Sequence, residues 1–507
     1  MLEEARFLAE AARPNISLPT RDRGYPGKMD RREFVRLAAL AGGSPALPTS
    51  RGPLLKGVTD QVGTVAVVGG GLAGLRAADA LRRAGREVIV LEARASPGGR
   101  VQTIRQPFDE GYHAEAGAIR IKGAHRTVLA LAREFGLRLA PFPAPTGSPL
   151  ITIRGVSARA DQNLDLTKWG LRLDPEERGL MPNALLERYL GELPSELAQQ
   201  EPYVPPGWQE LDRMTWPGWL RSRGASPGAI ALMTVGADSS ALSALYVLRQ
   251  IALLRDAGQH DIKISGGMDL LPRAMAASLG DSVLYNAPVV RVRRERDRVR
   301  VDYVENGGSR SVEASRVVLA VPFPALRQIE IRPPFSREKE RAIEELPYFQ
   351  ATRFLIQSRA RFWQESGLSG YARTDRSAEI WDCTHDLPGP RGILGVTVGG
   401  AVGSALLEMG PEESVVFGKD LVADAYPEIM ENFEKGMART WGSEPWSRGA
   451  FAVLHPGQGG SIMPHIAAPE DRVHFAGEHT SSWMGWMEGA LESGERAARE
   501  VLTATTP

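Results

Sequence analysis

Residues Thr64-Val65-Ala66-Val67-Val68 form a short apolar run, and the next six, Gly69-Gly70-Gly71-Leu72-Ala73-Gly74, carry no polar side chain at all. A β-branched run this short, closed by glycine, predicts a strand buried on both faces. Residues 75–84 show helical spacing with Gly85 as the stop, and residues 87–91 predict a second strand ending in Glu92. The chain therefore opens as strand, helix, strand. From 135 to about 260 its character changes. Proline-rich links at 141–149 and 202–217 separate helically spaced stretches such as 227–233 and 242–255, which predicts an inserted, mostly helical region. Strands return at 289–292, 299–304 and 312–321, with Glu305-Asn306-Gly307-Gly308 as the turn between the last two. Residues 335–441 mix strands (353–357, 392–398) with helices (337–345, 413–425). The end, Val473-His474-Phe475-Ala476-Gly477 followed by a helix from about 485 to 502, repeats strand, glycine turn, helix.

Composition narrows the class. Lys+Arg and Asp+Glu both total 61 of 507 residues, so the net charge is zero and a nucleic-acid binder is not indicated. The charged run 291–300 alternates with valine and contains Glu295 and Asp297, so it reads as a solvated strand-and-turn face. A hydrophobic fraction of 43% describes a core-forming globular chain. One cysteine, Cys383, excludes a disulfide framework and a CxxC pair, and no metal site is expected. No apolar run is long enough for a membrane span. Near the start, Arg31-Arg32 followed by Leu37-Ala38-Ala39-Leu40-Ala41-Gly42 has the look of a twin-arginine export signal. An amphipathic surface helix capped by Asp30 is the reading preferred here, with the protein cytoplasmic and export the alternative.

The glycines carry the first chemistry. Gly69, Gly71 and Gly74 form G-x-G-x-x-G between a strand and a helix, and Glu92 follows eighteen residues beyond the last of them. The first glycine permits a tight turn, the second lets the backbone approach a pyrophosphate, and the third packs helix on strand. The helix start at Leu72 and Ala73 offers N–H groups and a positive dipole end, and Glu92 would bond ribose hydroxyls.

The residues after Glu92 point to which dinucleotide. Leu91-Glu92-Ala93-Arg94 with Gly98-Gly99-Arg100, and Phe475-Ala476-Gly477-Glu478-His479-Thr480 with Gly485-Trp486-Met487-Glu488-Gly489-Ala490, resemble the two FAD segments of the flavin amine oxidase superfamily. Gly266-Gly267-Met268-Asp269-Leu270-Leu271-Pro272 and Pro288-Val289-Val290-Arg291-Val292 fit between them, so the resemblance spans about residues 60 to 505 in order. It implies an α/β fold: a Rossmann-like FAD-binding domain (60–125, 262–325, 445–507), a mixed-sheet substrate domain (126–150, 326–444), a helical insertion (151–261) and an N-terminal extension (1–59). It also implies that Gly99 and Arg100 lie along the pyrophosphate and flavin, that Val290 meets adenine through its backbone, that Glu478 bonds the ribityl chain or phosphate, and that Gly117, Ala118, Ile119, Gly477, Trp486 and Met487 touch the cofactor.

Within that superfamily, Gly111-Tyr112-His113-Ala114-Glu115-Ala116-Gly117-Ala118-Ile119-Arg120-Ile121 resembles the bacterial-type L-amino-acid-oxidase form of the segment passing the flavin, which makes Arg120 the carboxylate clamp. A guanidinium can grip a carboxylate with two parallel hydrogen bonds and so orient the Cα–H. The resemblance further gives Phe451 and Trp486 as walls flanking the substrate nitrogen and the Gly485 carbonyl as acceptor for the amine. Monoamine oxidases carry a flavin-linked cysteine in a stretch like Trp446-Ser447-Arg448-Gly449-Ala450-Phe451; alanine stands there in this chain, so FAD is expected to be non-covalent. Two departures stand out. The superfamily's lysine near flavin N5 is Arg353 here, in a chain with only eight lysines. Its tyrosine carboxylate partner aligns with Trp381 or Asp382, and the latter would suit a cationic side-chain end or a structural role. Trp216 and Trp219 could reach the pocket, with core packing preferred.

Arg120, Arg353 and Trp486 are the expected catalytic set, with Trp381, Asp382, Phe451 and Gly485 completing the substrate site. The implied reaction is oxidation of an L-amino acid to imino acid, then 2-oxo acid and ammonia, with O₂ reduced to H₂O₂. A primary-amine or polyamine oxidase, or an L-amino-acid 2-monooxygenase, is the alternative, and a homodimer or higher homo-oligomer is implied by the resemblance.

Overall fold

Strand β1 (Val65–Val68), helix α1 (Leu72–Arg83) and strand β2 (Val88–Leu91) form in the predicted order in the computed structural model. It describes residues 63–504 except 145, 163–165, 194–196, 198–202, 256–260 and 377. The twin-arginine-like segment at Arg31-Arg32 lies outside the described residues. Val65 and Val67 point to the side covered by α1, whereas Ala66 and Val68 point to the opposite layer, as the two-residue side-chain period of a strand requires. β1 and β2 sit in a five-stranded parallel sheet whose order is Val473–Phe475, Arg316–Leu319, β1, β2, Val283–Leu284. Its outer strand thus arrives from the far end of the chain. The C-terminal helix Met487–Thr503 packs directly on α1, and a Cβ on Gly494 would fall 2.3 Å from the Ala73 carbonyl oxygen, so that position admits only glycine.

A four-stranded sheet (order Gly308–Ala314, Val299–Glu305, Val289–Arg294, Glu330–Arg332) adjoins it. Its hairpin turns at Asn306 and Gly307, both at positive φ, between the paired residues Glu305 and Gly308. The charged run is ion-paired along this face, Arg293 to Asp302 at 2.7 Å and Arg291 to Glu330 at 2.8 Å. The stretch 312–321, read as one strand, is two: the chain leaves this sheet after Ala314 and enters the parallel sheet at Arg316.

A third, seven-stranded sheet runs Phe433–Thr440, Ala351–Ser358, Gly392–Gly399, Ala378–Asp382, Leu368–Thr374, Ser148–Ile153, Val156–Arg159. Its last two strands carry the chain past residue 150, so the helical insertion begins nearer 160 than 151. The expected grouping of residues from 126 with the substrate domain is also corrected. Helix Arg126–Glu134 buries Val128 and Leu131 in the core shared with α1, and its first amides, of Thr127 and Val128, donate to the Glu488 carboxylate at 2.7 and 2.9 Å. The insertion itself holds short helices started by side-chain caps: Thr215 accepts from the Gly218 amide and Ser226 from the Ala229 amide. Its last helix, α2 (Ala244–Arg255), meets the C-terminal segment, where Gln250 donates to the Ser482 carbonyl at 3.2 Å.

Candidate active site

The three regions meet around one cavity of about 570 Å³, within the range of ligand sites. At one end lies the glycine turn. Gly69 has φ +105°, and a Cβ on Gly74 would be 1.9 Å from the Gly69 carbonyl oxygen, so helix and turn touch backbone to backbone. A Cβ on Gly71, by contrast, would meet nothing within 4 Å: that face is open to the cavity. The α1 N-terminus carries no side-chain cap and no acid in its first turn, which leaves its positive end to a ligand anion. Glu92 accepts from the Gly70 amide at 2.6 Å and from the Arg94 amide at 2.8 Å, and burial holds its carboxyl above the usual range.

Further along, Arg94 reaches the Gly99 carbonyl and pairs with Glu444 at 3.2 Å, fixing the second glycine pair. Arg100 donates to the Ala450 carbonyl at 3.0 Å and to Glu478 at 2.7 Å. Glu478 also accepts from the Ala452 and Gly485 amides. The lining takes in the expected Leu72, Ala73, Ala93, Gly98, Gly117, Ala118, Ile119, Gly477 and Met487. Gly74 does not line it; its role is the helix contact. Val290 does not line it either, though Val289 does. The ladder to Val299–Glu305 slips between Val289 and Arg291, which leaves Val290 without a partner residue there.

The other end is built from the large sheet, α2 and the C-terminal segment. Phe451 stacks on Phe349 at 5.1 Å and 17°. Trp486 donates from its indole nitrogen to Gln250 of α2 at 3.0 Å, and the edge of His125 packs on its ring at 5.0 Å. Gly485, at φ +86°, abuts Phe451. Trp441 closes the wall, its indole nitrogen donating to the Ala116 carbonyl at 2.8 Å.

Strand β3 (Ala351–Ser358) presents Arg353, and strand β4 (Ala378–Asp382) presents Glu379. Arg353 lines the cavity but is tied to the Gly117 and Glu115 carbonyls at 2.7 and 3.2 Å, with Trp381 under its guanidinium at 4.8 Å. Burial pushes its pKa down to about 10, so it stays a cation at neutral pH. Arg120 lines the same end and pairs with Glu379 at 2.8 Å, with Asp261 at 3.8 Å on its other side.

Two expected substrate residues are corrected. Trp381 is buried beneath Arg353 and lines only a small separate cavity of about 10 Å³ beside Cys383. Asp382 points to the opposite face of β4, where it accepts from the Trp363 indole at 3.1 Å and from the Thr384 amide and hydroxyl, both at 2.7 Å. The acid of this strand that does face the cavity is Glu379, three positions earlier. Strand alternation could have found it, since 379 and 381 share a face that 382 does not. Gln250 and Trp441 were also missed, and nothing local in sequence marks them. Trp216 is buried with Trp219 stacked on it at 5.3 Å; neither lines the cavity.

An open glycine cradle at an uncapped helix start, an acid at the end of the second strand, and a long cavity running to an aromatic-walled end with an arginine define a dinucleotide-dependent oxidoreductase. The comparisons agree. The family model for flavin containing amine oxidoreductases matches residues 72–502. The L-amino-acid oxidase of Siganus canaliculatus is 30% identical over 457 residues, 87% of this chain and 85% of its own. That of Mus musculus is 31% identical over 453 residues, 87% and 71% respectively. Cyclohexylamine oxidase from Brevibacterium oxydans IH-35A shares the structure at a TM-score of 0.73 and 25% identity, covering 87% of this chain and 98% of that one. Putrescine oxidase bound to putrescine does so at 0.74 and 25%, covering 87% and 99%. The chain belongs to the flavin-containing amine oxidoreductase family, and its cofactor is FAD.

Proposed function

We propose that the protein oxidises L-amino acids to 2-oxo acids and ammonia, consuming O₂ and releasing H₂O₂. The observation that supports this most is Arg120, a guanidinium in the wall of the aromatic end, where an amine oxidase would need no carboxylate partner. The L-amino-acid oxidases among its relatives point the same way. When bound, FAD supplies the acceptor for the Cα hydride and passes the electrons on to O₂.

The chain's own groups do the rest. Arg120 grips the substrate carboxylate and fixes the direction of the Cα–H. Phe451, braced by Phe349, and Trp486, braced by Gln250, flank the substrate nitrogen, and the Gly485 carbonyl accepts its N–H. Hydride departure needs the amine lone pair, so the ammonium proton is lost first. No base in the cavity is assigned to that loss: Glu379 is held down to about 2, chiefly by Arg120 against the cost of burial, and Arg353 is a cation. With Ala450 where monoamine oxidases carry cysteine, and Cys383 outside the main cavity, the reading includes non-covalent FAD. The same reading takes the enzyme as cytoplasmic and homodimeric.

The test is peroxide formation from the proteinogenic L-amino acids against tyramine and putrescine, with the organic product identified. Peroxide and 2-oxo acid from L-amino acids are expected. Peroxide from the amines alone would overturn the reading, and amide with CO₂ as product would make the protein a monooxygenase.

A further inference from the structure

Among the described residues, Glu379 is the one carboxylate in direct contact with the clamp that also lines the cavity. Its Oε2 accepts from Arg120 Nη2 at 2.8 Å and its Oε1 from the Tyr371 hydroxyl at 2.7 Å. A carboxylate offers about four acceptor positions, so two remain after these bonds. The Tyr371 oxygen in turn accepts from Arg373 Nε at 3.1 Å, which fixes the tyrosine and through it the carboxylate. The other cations nearby are committed: Arg353 Nη1 to two backbone carbonyls, and Lys122 to Asp261 at 2.7 Å. Arg120 has five N–H donors and gives Glu379 only one. Asp261, bonded to Lys122, stands 3.8 Å from Nη1, beyond hydrogen-bond distance, so a substrate carboxylate can use the remaining donors while Glu379 keeps its place. Asp238, a second carboxylate, lies at the cavity wall contributed by the helical insertion.

Unfilled acceptors beside a carboxylate-binding arginine call for a donor on the substrate. A neutral side chain against them would strip water from a charged oxygen without replacing its hydrogen bonds, and an acidic one would add repulsion. An ammonium or guanidinium satisfies them. We propose that Glu379 makes the site selective for L-amino acids with a cationic side chain, of the lysine, ornithine and arginine type. This rests on the reading of Arg120 as a carboxylate clamp.

Three substrates that differ by one charged group separate the two ideas: L-lysine, L-norleucine, which lacks the side-chain amine, and cadaverine, which lacks the carboxylate. The wild-type holoenzyme is expected to favour lysine over norleucine in kcat/KM by about tenfold to hundredfold, mainly through KM, the worth of one charge-assisted hydrogen bond. In Glu379→Gln that ratio should collapse towards one, while Glu379→Asp, which keeps the charge, should retain part of it. Bound-flavin absorbance of each variant reports that the cavity is intact. Equal use of lysine and norleucine by the wild type, or a ratio untouched in E379Q, would overturn the proposal and leave the amino-acid-oxidase reading standing. Turnover of cadaverine but not lysine would overturn the clamp and the proposal with it.

Discussion

Arg100 and Glu478 meet at 2.7 Å although 378 residues separate them. The Glu478 side chain is 7% exposed, and its other oxygen holds the Gly485 amide at 2.7 Å. One carboxylate therefore ties the second glycine segment to the segment that carries Gly485 and Trp486. Removing one partner of a buried pair costs about 3–5 kcal/mol because the other is left uncompensated. Glu478→Ala is expected to lower the unfolding temperature and to lose flavin on desalting. The flavin-to-protein absorbance ratio checks this, and a variant retaining full flavin would contradict it.

Gly71 and Gly74 are three residues apart and predict opposite outcomes. At Gly74 an added Cβ lies 1.9 Å from a backbone oxygen, so Gly74→Ala should fail to give folded protein. At Gly71 the Cβ meets no protein atom, so Gly71→Ala should fold and unfold at near the wild-type temperature as apoprotein. It should nevertheless bind FAD at least about tenfold more weakly, because the methyl occupies the pyrophosphate approach. The yield of folded protein separates the two variants, and flavin titration of the Gly71→Ala apoprotein against wild type reads the loss of affinity.

The contrast between those glycines also marks what the sequence could reveal. The cradle was legible because its residues are contiguous and each glycine answers a stated need: a turn at Gly69, ligand approach at Gly71, helix contact at Gly74. Arg120 and Trp486 were legible through motif resemblance. Asp382 was misassigned and Glu379 overlooked because motif resemblance places a strand only to within a residue or two, and one step turns every side chain to the other face. Gln250 was invisible, since its meeting with Trp486 depends on how the helical insertion folds back, which no local pattern encodes. The same holds for helix Arg126–Glu134, whose cap is Glu488 near the other end of the chain.

Arg353 bonds two carbonyls of the segment that runs on to Arg120. Both bonds leave one nitrogen, Nη1, at the far end of a guanidinium that lies over the Trp381 ring at 4.8 Å. Lysine, the residue usual in the superfamily, is shorter and has no flat group to lie there. Arg353→Lys is expected to destabilise the protein by about 1–3 kcal/mol in denaturant titration, the cost of a buried acceptor left unmade. No change in stability would show that the two carbonyl bonds contribute nothing.

Glu115 is buried, accepting from Thr103 at 2.8 Å and from the Met268 amide at 3.0 Å, and burial raises its pKa from 4.5 to about 7. A raised carboxyl binds its proton more tightly folded than unfolded. Its contribution is therefore full below pH 4.5 and is lost as pH rises through about 7. Glu115→Gln should flatten the dependence of stability on pH across that window. Unfolding curves at about pH 5 and pH 8 test it, and a uniform offset between variant and wild type at both would count against it.

The five-stranded sheet closes with Val473–Phe475, and the helix Met487–Thr503 then seals α1. This arrangement sets a timetable for biosynthesis. The glycine turn leaves the ribosome early, yet the cavity wall it faces is completed only when the last strand and helix emerge. A nascent chain must hold its first strand and helix without their final neighbours through most of translation. Cofactor loading is accordingly a late event, and a chain interrupted before the last strand carries the fingerprint glycines without a finished place to put a flavin.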